Sequence, residues 1–213
     1  MTSTVTPTVV ASSTSPLSAV AAPSAFFSTE DYHRFHARAA GYDAENAFFT
    51  EDFEELREAG YLRAALPPQY GGRGLSLSEL SREQRQLAYW APATALAVNM
   101  HLYWTGPAAA LTVSGAEDFS WLLAAVRDGE VFAAGHGERG NDVGLDDSVV
   151  SARRLPDGSY RVDGRKTFTS LGPVWTSVGI HARDDSDPAD PHIVHLFVAR
   201  DQPGVRTEET WDT

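Results

Sequence analysis

The chain has 213 residues, 42% of them hydrophobic, enough to bury a core in one large domain or two small ones. Seventeen Lys+Arg stand against 29 Asp+Glu, giving a net charge of -12 and a pI near 4.9, so the sequence lacks the basic face a nucleic-acid partner needs. The absence of cysteine excludes disulfides, thiolate catalysis and cysteine metal sites.

Residues 1–25, made of Ser, Thr, Ala, Val and Pro without a persistent period, are expected to form a disordered tail. They lack the positive region of a secretory signal, and no apolar run has membrane-spanning length, so the expected location is the cytoplasm and no membrane partner is expected. Ser28 with Asp31 has capping-box spacing, and Tyr32, Phe35 and Ala39 continue at helical spacing towards Gly41. Thr50 is placed to cap a second helix with Glu51 and Asp52 in its first turn, ending at Gly60. The prolines and glycines of residues 67–74 require an irregular loop, after which Ser76 and Glu79 form a second capping box for a helix that stops before Pro92.

Ala93 to Trp104 is apolar except for Thr94, Asn99 and His101, the pattern of a helix buried on most sides. Asn99 and His101 therefore need partners. Pro107 is expected to restart a short helix, and Ser114 to Gly129 to form another. The period then changes. Val131–Ala134, Val149–Arg154, Tyr160–Val162, Val174–Ala182, Ile193–Ala199 and Val205–Glu208 are short, turn-separated and predicted to be antiparallel strands. The fold class is α+β, with a helical region over 26–129 and a β region over 130–213.

Gly135-His136-Gly137-Glu138-Arg139-Gly140 matches G-x-G-x-x-G after a strand, yet the turn formers of Asn141 to Asp147 leave no helix to receive a pyrophosphate, so a Rossmann reading fails. The glycines could instead shape an anion nest, with Arg139 supplying local charge, or simply connect two strands. Gly164-Arg165-Lys166-Thr167 has the wrong spacing for a P-loop, and Lys166 is the only lysine. His192 and His195, three apart on a strand, fall on opposite faces and are not a shared metal site. The acidic run Asp184 to Asp190 lacks the glycine and glutamate of a calcium loop and is read as a solvated hairpin.

Taken together, Pro67-Pro68-Gln69-Tyr70-Gly71-Gly72-Arg73-Gly74-Leu75-Ser76, Gly135 to Asp142 and Gly164 to Ser170 resemble, in order, the P-x-x-Y-G-G-x-G-x-S, T-E-P-G-A-G-S-D and G-x-K-x-W-I-T segments of the acyl-CoA dehydrogenase family. The resemblance covers Phe26 to Thr213. It implies a helical N-terminal domain followed by an antiparallel β-barrel-like middle domain, truncated before the family's C-terminal helical bundle, and FAD as cofactor. It places flavin contacts at Phe132, Ala134, Gly135, Gly140, Asn141, Phe168, Thr169 and Ser170, and substrate contacts at Asn141, Asn99 and His101. Phe168 is expected to pack on the flavin and Ser170 to donate to its N5 or O4. The family glutamate base belongs to the bundle, so no catalytic residue is assigned.

The implied reaction is α,β-dehydrogenation of an acyl-CoA, carried out by a fragment or split half. A C-terminal partner chain would complete it, an electron-transfer flavoprotein would take the electrons, and a homo-oligomer is expected once the bundle is supplied. Gly135-His136-Gly137 in place of Thr-Glu-Pro keeps open a flavin-dependent monooxygenase of the same fold, and the abrupt end keeps open an inactive remnant or binding module.

Overall fold

Helix α1 (Thr29–Ala44) begins where the sequence places it, because Ser28 accepts the Asp31 N–H and the Asp31 carboxylate accepts the Ser28 N–H. In this computed structural model, which describes residues 23–139 and 146–211, the chain is already tied down just before α1. The Ser24 hydroxyl and the Ala25 N–H both donate to the buried Glu83 carboxylate. The rest of the expected tail, residues 1–22, lies outside the described residues.

Helix α2 (Thr50–Glu58) starts one residue earlier than a Thr50 cap requires: Phe49 is the N-cap and makes no side-chain capping bond. The 67–74 loop folds tightly on itself, with the Gly74 N–H donating to Leu66 O and the Leu75 N–H to Ala64 O. Gly72 is obligatory there, since a Cβ would lie 2.1 Å from Leu66 O. Helix α3 (Leu77–Trp90) opens with the Ser76/Glu79 capping box.

Helix α4 (Pro92–Val113) is a single helix of 22 residues, so the expected break at Pro107 does not occur. Pro107 sits on its exposed side, where the missing N–H need not be made up in the core. Ala95, Val98, Leu102, Thr105 and Ala109 face inward at helical spacing. The region expected as one helix from Ser114 to Gly129 is a 3-10 turn (Glu117–Phe119) followed by α5 (Ser120–Arg127).

Strands β1 (Phe132–Gly135), β2 (Ser151–Arg154), β3 (Tyr160–Asp163), β4 (Ser177–Asp184) and β5 (His192–Ala199) make one sheet. It is mixed rather than antiparallel: β4 pairs in parallel with β1 through residues 177–180 and with β2 through 183–184, while β5 runs antiparallel along its whole length. Among the described residues the sheet is open, not a closed barrel, and the segment expected as a strand at Val205–Glu208 is irregular. The α+β class holds.

The helices and the sheet share one apolar core, in which Tyr32, Phe35, Leu56, Leu87 and Leu122 join Phe132, Ala133 and Trp175. Trp104 of α4 locks the two layers. Its indole N–H donates to Ala133 O at 2.9 Å, and its ring lies so close to Gly179 that a Cβ there would sit 2.2 Å from Cζ2. Among the described residues, no helix is long and apolar enough to cross a membrane.

Candidate functional site

Residues paired across a sheet share a face, so the register divides the strands into two sets. Phe132 meets Trp121, His101 and Phe197 on the helical side, and Ala134, in register with Gly179, shares that side. Val178, Ile180, Leu196 and Val198 line an open cleft of about 1740 Å³ on the other side, walled by residues 159–170 and 202–211. Phe132 and Ala134, expected as flavin contacts, are therefore core residues that point away from the cleft.

The expected partners in the second motif do reach it: Phe168, Thr169 and Ser170 all line the cleft. Gly135 lies beneath them, where a Cβ would stand 3.3 Å from Thr169 Oγ1. The two glycine- and hydroxyl-bearing segments are stitched by a β-bridge between Gly137 and Thr167, in which the Thr167 N–H donates to Gly137 O at 2.8 Å. Gly140 and Asn141 lie outside the described residues.

Phe168 is the unusual residue of this wall. It is 94% exposed and has φ 56°, a left-handed backbone that costs an L-residue roughly 1–2 kcal/mol. Leu171 is also left-handed, at φ 65°, but its side chain is buried and its carbonyl accepts the Val174 and Trp175 N–H groups. The strained turn is thus anchored at both ends while its aromatic ring is held out in solvent. Strain of this kind persists where the surroundings enforce it, and concentrates at ligand sites.

Arg139, Arg161, Arg165, Lys166 and Arg206 line the cleft with Glu138, Asp163, Glu208 and Glu209. A balanced lining in a chain of net charge -12 is a local concentration of cations. A flat aromatic ring system carrying phosphate fits this set: Phe168 offers a stacking face, Thr169 and Ser170 offer hydroxyl donors, and the arginines offer phosphate contacts.

Behind the wall lies a buried polar cluster. Glu138, with no exposed side-chain surface, pairs with Lys166 and accepts the Ser148 hydroxyl and, at 2.9 Å, the Val149 N–H. Lys166 Nζ also lies 3.4 Å from His181 Nδ1, which is 3.3 Å from His136 Nδ1. Burial, with the other cations nearby, pushes His136 down to about 4 and His181 below the usual imidazole range. Burial also lowers Lys166, against the raising effect of Glu138. Sequence reasoning missed this cluster. The available signals were the chain's single lysine and a histidine inside the apolar run Val178 to Ala182.

The expected substrate contacts on α4 are placed differently. His101 is enclosed in the core, with Nε2 3.0 Å from Leu62 O and Nδ1 accepting the Phe132 N–H at 3.0 Å, so both ring nitrogens are used by backbone. It is a staple between α4 and β1, not part of a substrate pocket. Asn99 is exposed and accepts from Gln84. His195 faces His181 across β4 and β5, with ring centroids 6.4 Å apart.

A family model described as the acyl-CoA dehydrogenase N-terminal domain matches residues 28–118. The "Putative acyl-CoA dehydrogenase YdbM" of Bacillus subtilis (strain 168) is 30% identical over 181 residues, 84% of this chain and 46% of that protein. L-evernosamine nitrososynthase of a Micromonospora species is 27% identical over 191 residues, 84% of this chain and 42% of that protein. The solved structure of KijD3 in complex with FMN and dTDP-3-amino-2,3,6-trideoxy-4-keto-3-methyl-D-glucose superimposes with a TM-score of 0.71 at 27% identity, covering 86% of this chain and 45% of that one. The chain spans about half the length of the curated relatives it matches.

Proposed function

Because this chain belongs, through its N-terminal and middle parts, to the acyl-CoA dehydrogenase fold family, we propose that it forms the flavin-binding wall of a flavin-dependent oxidoreductase. The observation that carries this reading is Phe168, an exposed aromatic held in a strained backbone over a cleft with hydroxyl and arginine neighbours. A bound flavin would supply the electron-accepting and oxygen-reacting chemistry. The chain's own residues bind and orient it. Phe168 stacks on the ring, Ser170 and Thr169 donate to its polar edge, and Arg139, Arg161 and Arg206 hold the phosphates. FAD is the form the sequence resemblance implies; FMN is the form in the KijD3 complex.

Two features favour oxygenation with reduced flavin over dehydrogenation. Gly135 has no hydroxyl where the dehydrogenase motif carries threonine, leaving the ring edge open to a small reactant, and the likeness to nitrososynthases runs through both sequence and structure. The substrate class this supports is a small amine, as in the amino-sugar ligand of KijD3. The second reading, acyl-CoA dehydrogenation with electrons leaving to an electron-transfer flavoprotein, is favoured by the YdbM match and the Pro67–Ser76 loop.

Fluorescence titration of the purified chain with FMN and FAD tests the binding, and the tighter ligand identifies the form. Oxygen uptake with enzymatically supplied reduced flavin and an amine substrate, compared with acyl-CoA-dependent dye reduction, separates the two reactions. Dye reduction without amine-dependent oxygen uptake would overturn the first reading.

A further inference from the structure

The bridge between Gly137 and Thr167 is a single rung, and the next rung outward is the Glu138–Lys166 pair: the residue after Gly137 reaches the residue before Thr167. Among the described residues, a backbone hydrogen bond and a buried ion pair join the two cleft loops side by side, and Phe168 follows directly. Lys166 is only 10% exposed and Glu138 fully buried, so this pair is not exchanged for water as a surface pair would be. Beneath it, His181 takes part in two ways. Its Nδ1 lies 3.4 Å from the ammonium, where a neutral imidazole accepts, while its Nε2 has no hydrogen-bond partner and lies 3.9 Å from Glu138 Oε1.

We propose that Lys166 is the positioning residue of the cleft wall and that His181 is its proton-dependent support. With His181 neutral, Lys166 holds Glu138 and fixes the turn that presents Phe168. With His181 protonated, a second cation faces the ammonium and its Nε2–H competes for the same carboxylate oxygen, so the wall loosens. This deepens the reading above, resting on it for the identity of the ligand but not for the geometry.

Among the described residues, the groups that face His181 are few. Lys166 comes from the 164–170 loop, Glu138 and His136 from the segment after β1, and His195 from β5. Ser148 packs from the segment before β2, where the Asp147 backbone carbonyl also faces the ring, while the Asp147 and Arg183 side chains pair outward at the surface. The α4 residues over His136 are Tyr103 and Trp104, neither of them charged. Glu138 is the one carboxylate of this set that approaches the ring, which is why the competition is between His181 and Lys166. Burial and the nearby lysine keep His181 neutral at pH 7 and place the loosening below the ordinary imidazole range.

The test is amide hydrogen exchange of residues 166–170 in the ligand-free chain at pH 7.5 and pH 5, corrected for intrinsic rates. The Thr167 N–H reports the bridge. Expected is a loss of protection on going to the lower pH, about tenfold for each unit that the pH passes below the His181 midpoint. His181→Asn should keep protection at both values. Lys166→Met should lose it at both while the β4–β5 amides stay protected, and Lys166→Arg should restore it. Wild-type protection that does not change with pH, the same drop in His181→Asn, or a protected wall in Lys166→Met each overturns the proposal. If His181→Asn does not fold, the wild-type midpoint is compared with the titration of the His181 ring resonance, and a mismatch overturns it. Flavin titration of the same samples is read separately: absent binding with the exchange pattern intact retires the flavin reading alone.

Discussion

Gly137→Ala probes the cleft wall at its tightest point. The new Cβ would stand 2.8 Å from Thr167 O, 3.2 Å from Thr167 Oγ1 and 3.3 Å from Phe168 Cδ2. Ordinary contact begins at 3.4 Å, so the opposing backbone must retreat by about 0.6 Å, and the carbonyl it would push is not the free end of a side chain. Retreat stretches the 2.8 Å bond from the Thr167 N–H to Gly137 O. Overpacking of this kind costs about 1–3 kcal/mol and the hydrogen bond about 1 kcal/mol. The wall can open locally rather than unfold the sheet, so the global loss in urea should stay near ~1–3 kcal/mol. Flavin affinity should fall at least about tenfold, because ~1.4 kcal/mol of wall distortion already amounts to that. Gly41→Ala, with nothing within 4 Å of its Cβ in the interior of α1, is the control, and should leave affinity unchanged. A folded Gly137→Ala chain that binds flavin like wild type would refute the stitched wall.

Gly179→Ala should be more damaging to the fold than to any ligand: its Cβ meets Trp104 Cζ2 at 2.2 Å and Cε2 at 2.5 Å, so the chain should lose about 3 kcal/mol or fail to fold, read by circular dichroism and urea melts. His101→Leu leaves the Leu62 carbonyl and the Phe132 N–H unpaired in the core and should cost about 2–4 kcal/mol without changing the affinity of soluble mutant for flavin. Burial pushes His101 down to about 4, so the fold holds the neutral ring. Its contribution is complete above pH ~6.5 and is lost as the pH falls towards 4. His101→Leu should therefore flatten part of the acid limb of a stability–pH curve, and an unchanged limb would remove His101 from that role.

Where the structure follows the sequence, the determinants are local. Both capping boxes, Ser28 with Asp31 and Ser76 with Glu79, need only neighbouring residues, and both form. The change from helix to strand after Gly129 is a change of period, visible in any short window. What was not legible depends on residues far apart in the chain. β1 pairs in parallel with β4 across more than forty residues, and no hairpin turn announces such a partner. Pro107 is expected to restart a helix because its missing N–H is a strong local signal, but its exposed position in α4 allows one helix to run through it. Phe132 and Ala134 were assigned to the cleft from motif position alone, and the register that turns them towards the helices was not available. Phe168 to Ser170 reach the cleft because a loop, not a strand, carries them there.

The most direct measurement is a flavin fluorescence titration of the purified chain beside Phe168→Ala. The side chain is 94% exposed, so its removal should leave the melting temperature unchanged, whereas a lost stacking contact of ~1–3 kcal/mol should weaken binding by about tenfold or more. Saturable quenching by wild type and that loss in the variant are the predicted result. Equal affinities, or no binding by the wild-type chain, would contradict a flavin wall built on this turn.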